Sequence, residues 1–93
     1  MSREYLERLR QAIRDLHGCE SAHAASIAVH ETVEGKTVWQ EIVEVFTLIG
    51  HPTAKHAYAW SYENEGGKWH HVVVLEITPI NSAYDAVRTY YSG

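Results

Sequence analysis

Between residues 2 and 17 the apolar side chains recur every three or four positions, so that Tyr5, Leu6, Leu9, Ala12, Ile13 and Leu16 form one stripe with arginines and acids opposite. This period predicts an amphipathic helix lying on a core. Ser2 is placed to cap its first turn and Gly18 to close its last by taking a positive φ, while Glu4 and Arg8 stand one turn apart as a favourable pair.

After Gly18 the period falls to two and predicts strands over residues 22–33, 37–49, 55–63 and 68–78. The breaks between them are "VEGK", where Gly35 can supply the left-handed conformation, "GHPTA", where Pro52 removes an amide donor, and "NEGG". Along the third strand His56, Tyr58, Trp60 and Tyr62 point one way, and Ala57, Ala59 and Ser61 the other. Pairing Tyr62 with Trp69 sets Trp60 opposite His71, Tyr58 opposite Val73 and His56 opposite Leu75, and puts Lys55 beside Glu76. On that register His70 leaves the aromatic side. The run "VVVL" is apolar on both faces, which calls for cover on both. Pro79 ends the strand, and "NSAYDAVRTYY" predicts a short closing helix, capped by Asn81 or Ser82, with Asp85 in its first turn and Ala83, Val87 and Tyr90 inward.

The expected fold is therefore α+β and two-layer: a four-stranded antiparallel meander with an N-terminal and a short C-terminal helix, as one domain over residues 1–93. Two helices suffice to cover one face of such a sheet, and the pattern does not choose the face. The remaining apolar surface points to a homodimer, the commonest soluble oligomer.

Charge narrows the partners. Net charge is −4, and beyond residue 17 nine acids face four bases, so the sheet region has no cationic surface for a phosphate backbone and nucleic acid is not expected. The longest uncharged apolar run, "VVVL", is far short of the ~20 residues of a membrane span, and the charged start "MSREYLERLR" is unlike a signal peptide. A cytoplasmic location is expected, and the single cysteine, Cys19, suits a reducing compartment.

Seven histidines raise the question of metal and acid–base chemistry. Neighbours on a strand point to opposite faces, which separates His70 from His71 and His30 from Glu31, and the chain has no HExxH or Cys/His spacing. A set of His56 and His71 with Glu31 or Glu41 is the remaining combination; neither a metal nor a cofactor is expected. Catalysis would use His71 or His56 as base, tuned by a glutamate such as Glu41, with Tyr58, Trp60 and Trp69 excluding water. No nucleophile with a partner and no phosphate-cradling glycine run accompanies them, since Gly66 and Gly67 are accounted for by a hairpin turn. A binding role asks for less. Tyr58, Trp60, Tyr62, Trp69, His71 and His56 would form a partly exposed aromatic face for a small molecule or protein partner. The expectation is a small soluble homodimeric binding domain, with a hydrolase-, isomerase- or lyase-like enzyme as the alternative; in the plainer case, the aromatics are simply core beneath the helices.

Overall fold

The computed structural model describes residues 3–33, 36–77 and 80–92, the side chains of residues 31–41 and 92 excepted. Its elements run α1 (Arg3–His17), β1 (Glu20–Val33), β2 (Lys36–Ile49), β3 (His56–Glu63), β4 (Trp69–Leu75) and α2 (Ala83–Ser92). The strands form one open antiparallel sheet in chain order, β1-β2-β3-β4. The α+β class and the element order are those the periodicity predicts. Among the described residues no helix is long and apolar enough to cross a membrane.

α1 buries Leu9 and Ile13 completely, as the stripe requires. Gly18, at φ 67°, donates its N–H to the Arg14 carbonyl at 2.8 Å, which closes the helix with an αL cap. The stripe overruns its contact at one end, because Leu16 is largely exposed. The Ser2 cap, the Gly35 turn and the Pro79 stop all fall outside the described residues.

β1 and β2 pair with Ala25 opposite Val45, Ile27 opposite Val43 and Glu31 opposite Trp39, so that odd-numbered residues of both strands share a face there. Two register shifts, between His23 and Ala25 and between Glu31 and Thr32, interrupt the ladder. The β2–β3 connection uses Gly50 at φ 85°, and His51 Nδ1 accepts the amides of Thr53 (3.2 Å) and Ala54 (2.9 Å).

The β3–β4 register differs from the sequence expectation by one residue. Tyr62 lies opposite His70, Trp60 opposite Val72, Tyr58 opposite Val74 and Ser61 opposite His71. The cause is the loop. Asn64 and Lys68 close the hairpin through Asn64 N–H to the Lys68 carbonyl (2.8 Å), Gly67 donates to the Asn64 carbonyl (3.0 Å), and the Asn64 side chain accepts the Gly66 and Lys68 amides at 2.9 and 3.0 Å. Gly67, not Gly66, holds the left-handed conformation, at φ 80°. This is a three-residue loop ending in αL, and loop length decides register. A one-residue change moves every side chain of β4 to the opposite face, so His70 joins the aromatic side while Trp69 and His71 leave it.

The two helices are shared out between the faces of the sheet, where the sequence expectation had both on one face and the other left uncovered. On one face α1 sets Leu9 and Ile13 against Phe46, Leu48, Ala57 and Ala59. On the other, α2 sets Ala83, Ala86 and Val87 against Val43, Val45, Tyr58, Trp60 and Val72. Residue sizes explain the division: large aliphatics of α1 meet the alanines of β3, and the small residues of α2 meet its bulky aromatics, so each interface reaches close packing. The α2 start is a side-chain cap in which Ser82 Oγ accepts the Asp85 amide (3.1 Å) and Asp85 Oδ2 reaches back to the Asn81 amide (3.3 Å). Tyr90, expected inward, is 41% exposed.

Candidate functional site

The aromatic side of β3 divides into a buried middle and two accessible ends. Trp60 is fully buried and Tyr58 nearly so, both beneath α2. Of the residues expected to form a contact face, these two are core.

At one end, His56 and Glu76 are cross-strand neighbours, since the Glu76 amide donates to the His56 carbonyl at 2.9 Å. His56 Nδ1 donates to Glu76 Oε1 at 3.1 Å, and the Tyr58 hydroxyl donates to Glu76 Oε2. The Tyr58 bond, aided by His56 and Lys55 and opposed by burial, holds the Glu76 carboxyl below the usual carboxylate range. Burial, then the Glu76 hydrogen bond and charge, pushes the Tyr58 phenol up. The carboxylate partner of His56 is thus Glu76. The sequence expectation set Glu76 beside Lys55 instead, because its register was one residue away. Glu41, the glutamate named there, has its backbone in β2 and its side chain outside the described residues.

At the other end, the C-terminal part of α2 meets the hairpin loop in an accessible aromatic cluster. Tyr62 and His70 stack with centroids 5.3 Å apart at 22°, and the Asn64 amide donates to His70 Nε2 at 2.9 Å, fixing the ring. Tyr90 stands edge-on to Trp60 (5.7 Å, 88°) and to Tyr91 (4.9 Å, 87°), and its hydroxyl meets that of Tyr62 at 3.3 Å. That hydroxyl contact, with burial, pushes the Tyr90 phenol up to about 12. Trp60 Nε1 donates to the Tyr91 hydroxyl at 3.4 Å, anchoring the cluster on the core. Tyr62 is half-buried, and His70, Tyr90 and Tyr91 are exposed. The sequence reading missed Tyr91 and His70. The spacing of α2 could not reveal Tyr90 and Tyr91 as surface groups, because both rest against β3 aromatics while staying 41% and 47% exposed.

On the opposite face, His71 Nδ1 is hydrogen-bonded to the buried Ser61 Oγ at 2.5 Å, and Trp69 is 63% exposed. His56 and His71 therefore belong to different faces and cannot share a metal ion. Among the described residues no three His, Cys, Asp or Glu side chains are grouped as a metal site requires.

One edge of the sheet also bears on function. β4 pairs on one side only, and its sequence "WHHVVVL" carries no Asp, Glu, Lys, Arg or Pro and no register shift against β3. The other edge, β1, is interrupted by two shifts and carries Glu20 and Glu31. Bulges and charges are the usual protection against strand-to-strand association. β1 has them and β4 has none. Comparison with known proteins supplies no counterpart for this arrangement: no protein family, no curated protein and no solved structure matches the chain.

Proposed function

We propose that the chain is a small interaction domain that forms a homodimer by pairing β4 with β4 of a second copy, and that the aromatic cluster beside this edge forms its partner-binding surface. The observation that carries the reading is the unprotected edge. An antiparallel strand related to itself by a two-fold axis is self-complementary in backbone hydrogen bonding, so an unprotected apolar edge selects its own copy first. Val73, Val74 and Leu75 are only half-buried in the single chain, and Trp69, His70 and His71 are exposed, which supplies apolar and aromatic area around the pairing. A seven-residue strand alone falls short of the ~1,200 Å² of a stable interface, so these flanking side chains have to contribute. Tyr62, His70, Tyr90 and Tyr91 then form an aromatic surface of the amphipathic kind that anchors interfaces.

Amide hydrogen exchange tests this directly. Outward-facing amides alternate along an edge strand. In the dimer, those of β4 exchange slowly at high protein concentration and rapidly on dilution. Fast exchange of the outward β4 amides at every concentration contradicts the proposal.

A second reading, a small acid–base enzyme, draws on His56. Its Nδ1 is held by Glu76 and its side chain is 37% exposed, so Nε2 is the ring nitrogen that would serve as a general base. This reading requires turnover that is lost in His56→Gln with the fold intact. Turnover unaffected by that change removes it.

A further inference from the structure

On the face away from the aromatic cluster, α1 and β1 enclose a cleft of about 340 Å³, at the small end of the range for ligand sites. α1 contributes Arg3 and Arg10, with Glu7 beside them and Leu6 as an apolar wall; β1 contributes Ser21 and His23. Arg10 is already oriented, because its Nε donates to the Ser21 carbonyl at 2.9 Å and its Nη1 to Glu7 at 2.7 Å, which leaves Nη2 uncommitted. Arg3 has no partner among the described residues.

Two buried polar atoms next to this cleft have no hydrogen-bond partner among the described residues. Ser21 is 3% exposed and its Oγ is unpartnered. Behind His23, Glu44 is completely buried; its Oε1 accepts His23 Nε2 at 2.8 Å and Ser26 Oγ at 2.5 Å, and its Oε2 has no partner. Orphaned buried polar groups are costly and uncommon, and one lining a cleft marks a place where a ligand completes the bonding. The Glu44 carboxylate fixes the His23 tautomer, because Nε2 carries the proton it donates and Nδ1 is left as the ring nitrogen without a partner.

We infer that this cleft binds the carboxylate or phosphate group of a small metabolite, with Arg3, Arg10 and the Ser21 hydroxyl as its donors. At the cleft mouth the Arg3 and Arg10 guanidiniums outnumber the Glu7 carboxylate, on a chain that is acidic overall, with the buried Glu44 carboxylate set back behind His23. Leu6 and Ala22 leave room for a short apolar portion. This site is independent of the β4 edge, and either proposal can fail without the other.

The test is an amide and imidazole NMR titration of the full chain with inorganic phosphate and, separately, with acetate, at constant ionic strength set with chloride. Saturable shifts centred on Ser21, Ala22 and His23 with either anion support the site, and the anion that saturates first names the head group. Arg3→Gln, a change at an exposed residue, weakens that binding by about tenfold or more, as loss of a charge-assisted bond should. Ser21→Ala separates the role from a structural one: it leaves thermal stability unchanged or raised, because it removes an unpartnered hydroxyl, yet weakens anion binding. Shifts that rise linearly and match those of chloride, or saturable binding indifferent to both substitutions, overturn the inference.

Discussion

The hydrogen bond from Tyr58 to Glu76 offers a quantitative check on the β3–β4 register, because only the observed pairing brings the two side chains together. Tyr58→Phe removes the donor while keeping the ring, which is 4% exposed and packed under α2. A hydrogen bond to a charged acceptor contributes about 1.5–3 kcal/mol. The Glu76 side chain is 27% exposed, so water replaces part of the bond, and a loss of about 1–2 kcal/mol is expected at pH 7. For a domain of this size that is a fall in Tm of roughly 5–10 °C. The sign of the pH dependence follows from the depressed folded-state pKa of Glu76, whose first cause is this bond. The stability it contributes is fully present above the unfolded carboxylate pKa of about 4.3 and is lost as pH falls through the lower folded value. Tyr58 acts oppositely: its raised pKa contributes stability below about pH 10, lost as pH rises beyond it. Urea unfolding of the parent chain and of Tyr58→Phe at pH 7 and pH 3 therefore gives a difference that shrinks in acid. A difference of the same size at both pH values would assign the loss to packing, and no difference at pH 7 would refute the pairing itself.

Other substitutions check other parts of the fold. Trp60→Ala, at a fully buried residue, is expected to cost about 3–5 kcal/mol in denaturant unfolding, whereas Trp69→Ala, at an exposed one, stays within about 0.5 kcal/mol; equal effects would mean the faces of β3 and β4 are misassigned. Gly67→Ala places a side chain at φ 80° and should destabilise the hairpin by about 1 kcal/mol, while Gly66→Ala, at a residue without positive φ, costs less; thermal unfolding of the pair ranks them. Ser82→Ala removes the α2 cap and is expected to cost about 1 kcal/mol, read in the same assay, with no loss if Asn81 were the true cap.

Most of the element plan was legible because each element has its own period: the stripe through Leu9 and Ile13 yields α1, and the alternation of β3 separates Tyr58 and Trp60 from Ala57 and Ala59. For β1 and β2 the alternation separates the faces, since Ala25, Ile27, Val43 and Val45 share a side, but it does not choose the register or signal the two shifts. The β3–β4 register was not. Val72, Val73 and Val74 are interchangeable in pattern, so the alternation there offers no preference, and the decision fell to whether Gly66 or Gly67 adopts the left-handed conformation. That choice also decided the candidate site, replacing His71 and Trp69 by His70 on the aromatic side and pairing His56 with Glu76. The allocation of one helix to each face was not legible: the pattern had both helices on one face, and although the alanines of β3 leave room for a close helix, the cover over Trp60 depends on Ala83 and Ala86 in a helix whose own stripe is short. The burial of Glu44 was invisible, because an even-numbered acid on β2 reads as an ordinary solvent-facing residue until the α1 face is known.

Pairing of the uncharged β4 edge with a second copy of the chain doubles the mass in solution. Sedimentation equilibrium at micromolar concentration measures this directly, on the parent chain and on His71→Glu, which retains an acceptor for Ser61 while placing like charges near the two-fold axis. Twice the 10.6 kDa chain mass is expected for the parent, and a return to the single-chain mass for His71→Glu. A parent chain that sediments as one 10.6 kDa species contradicts it.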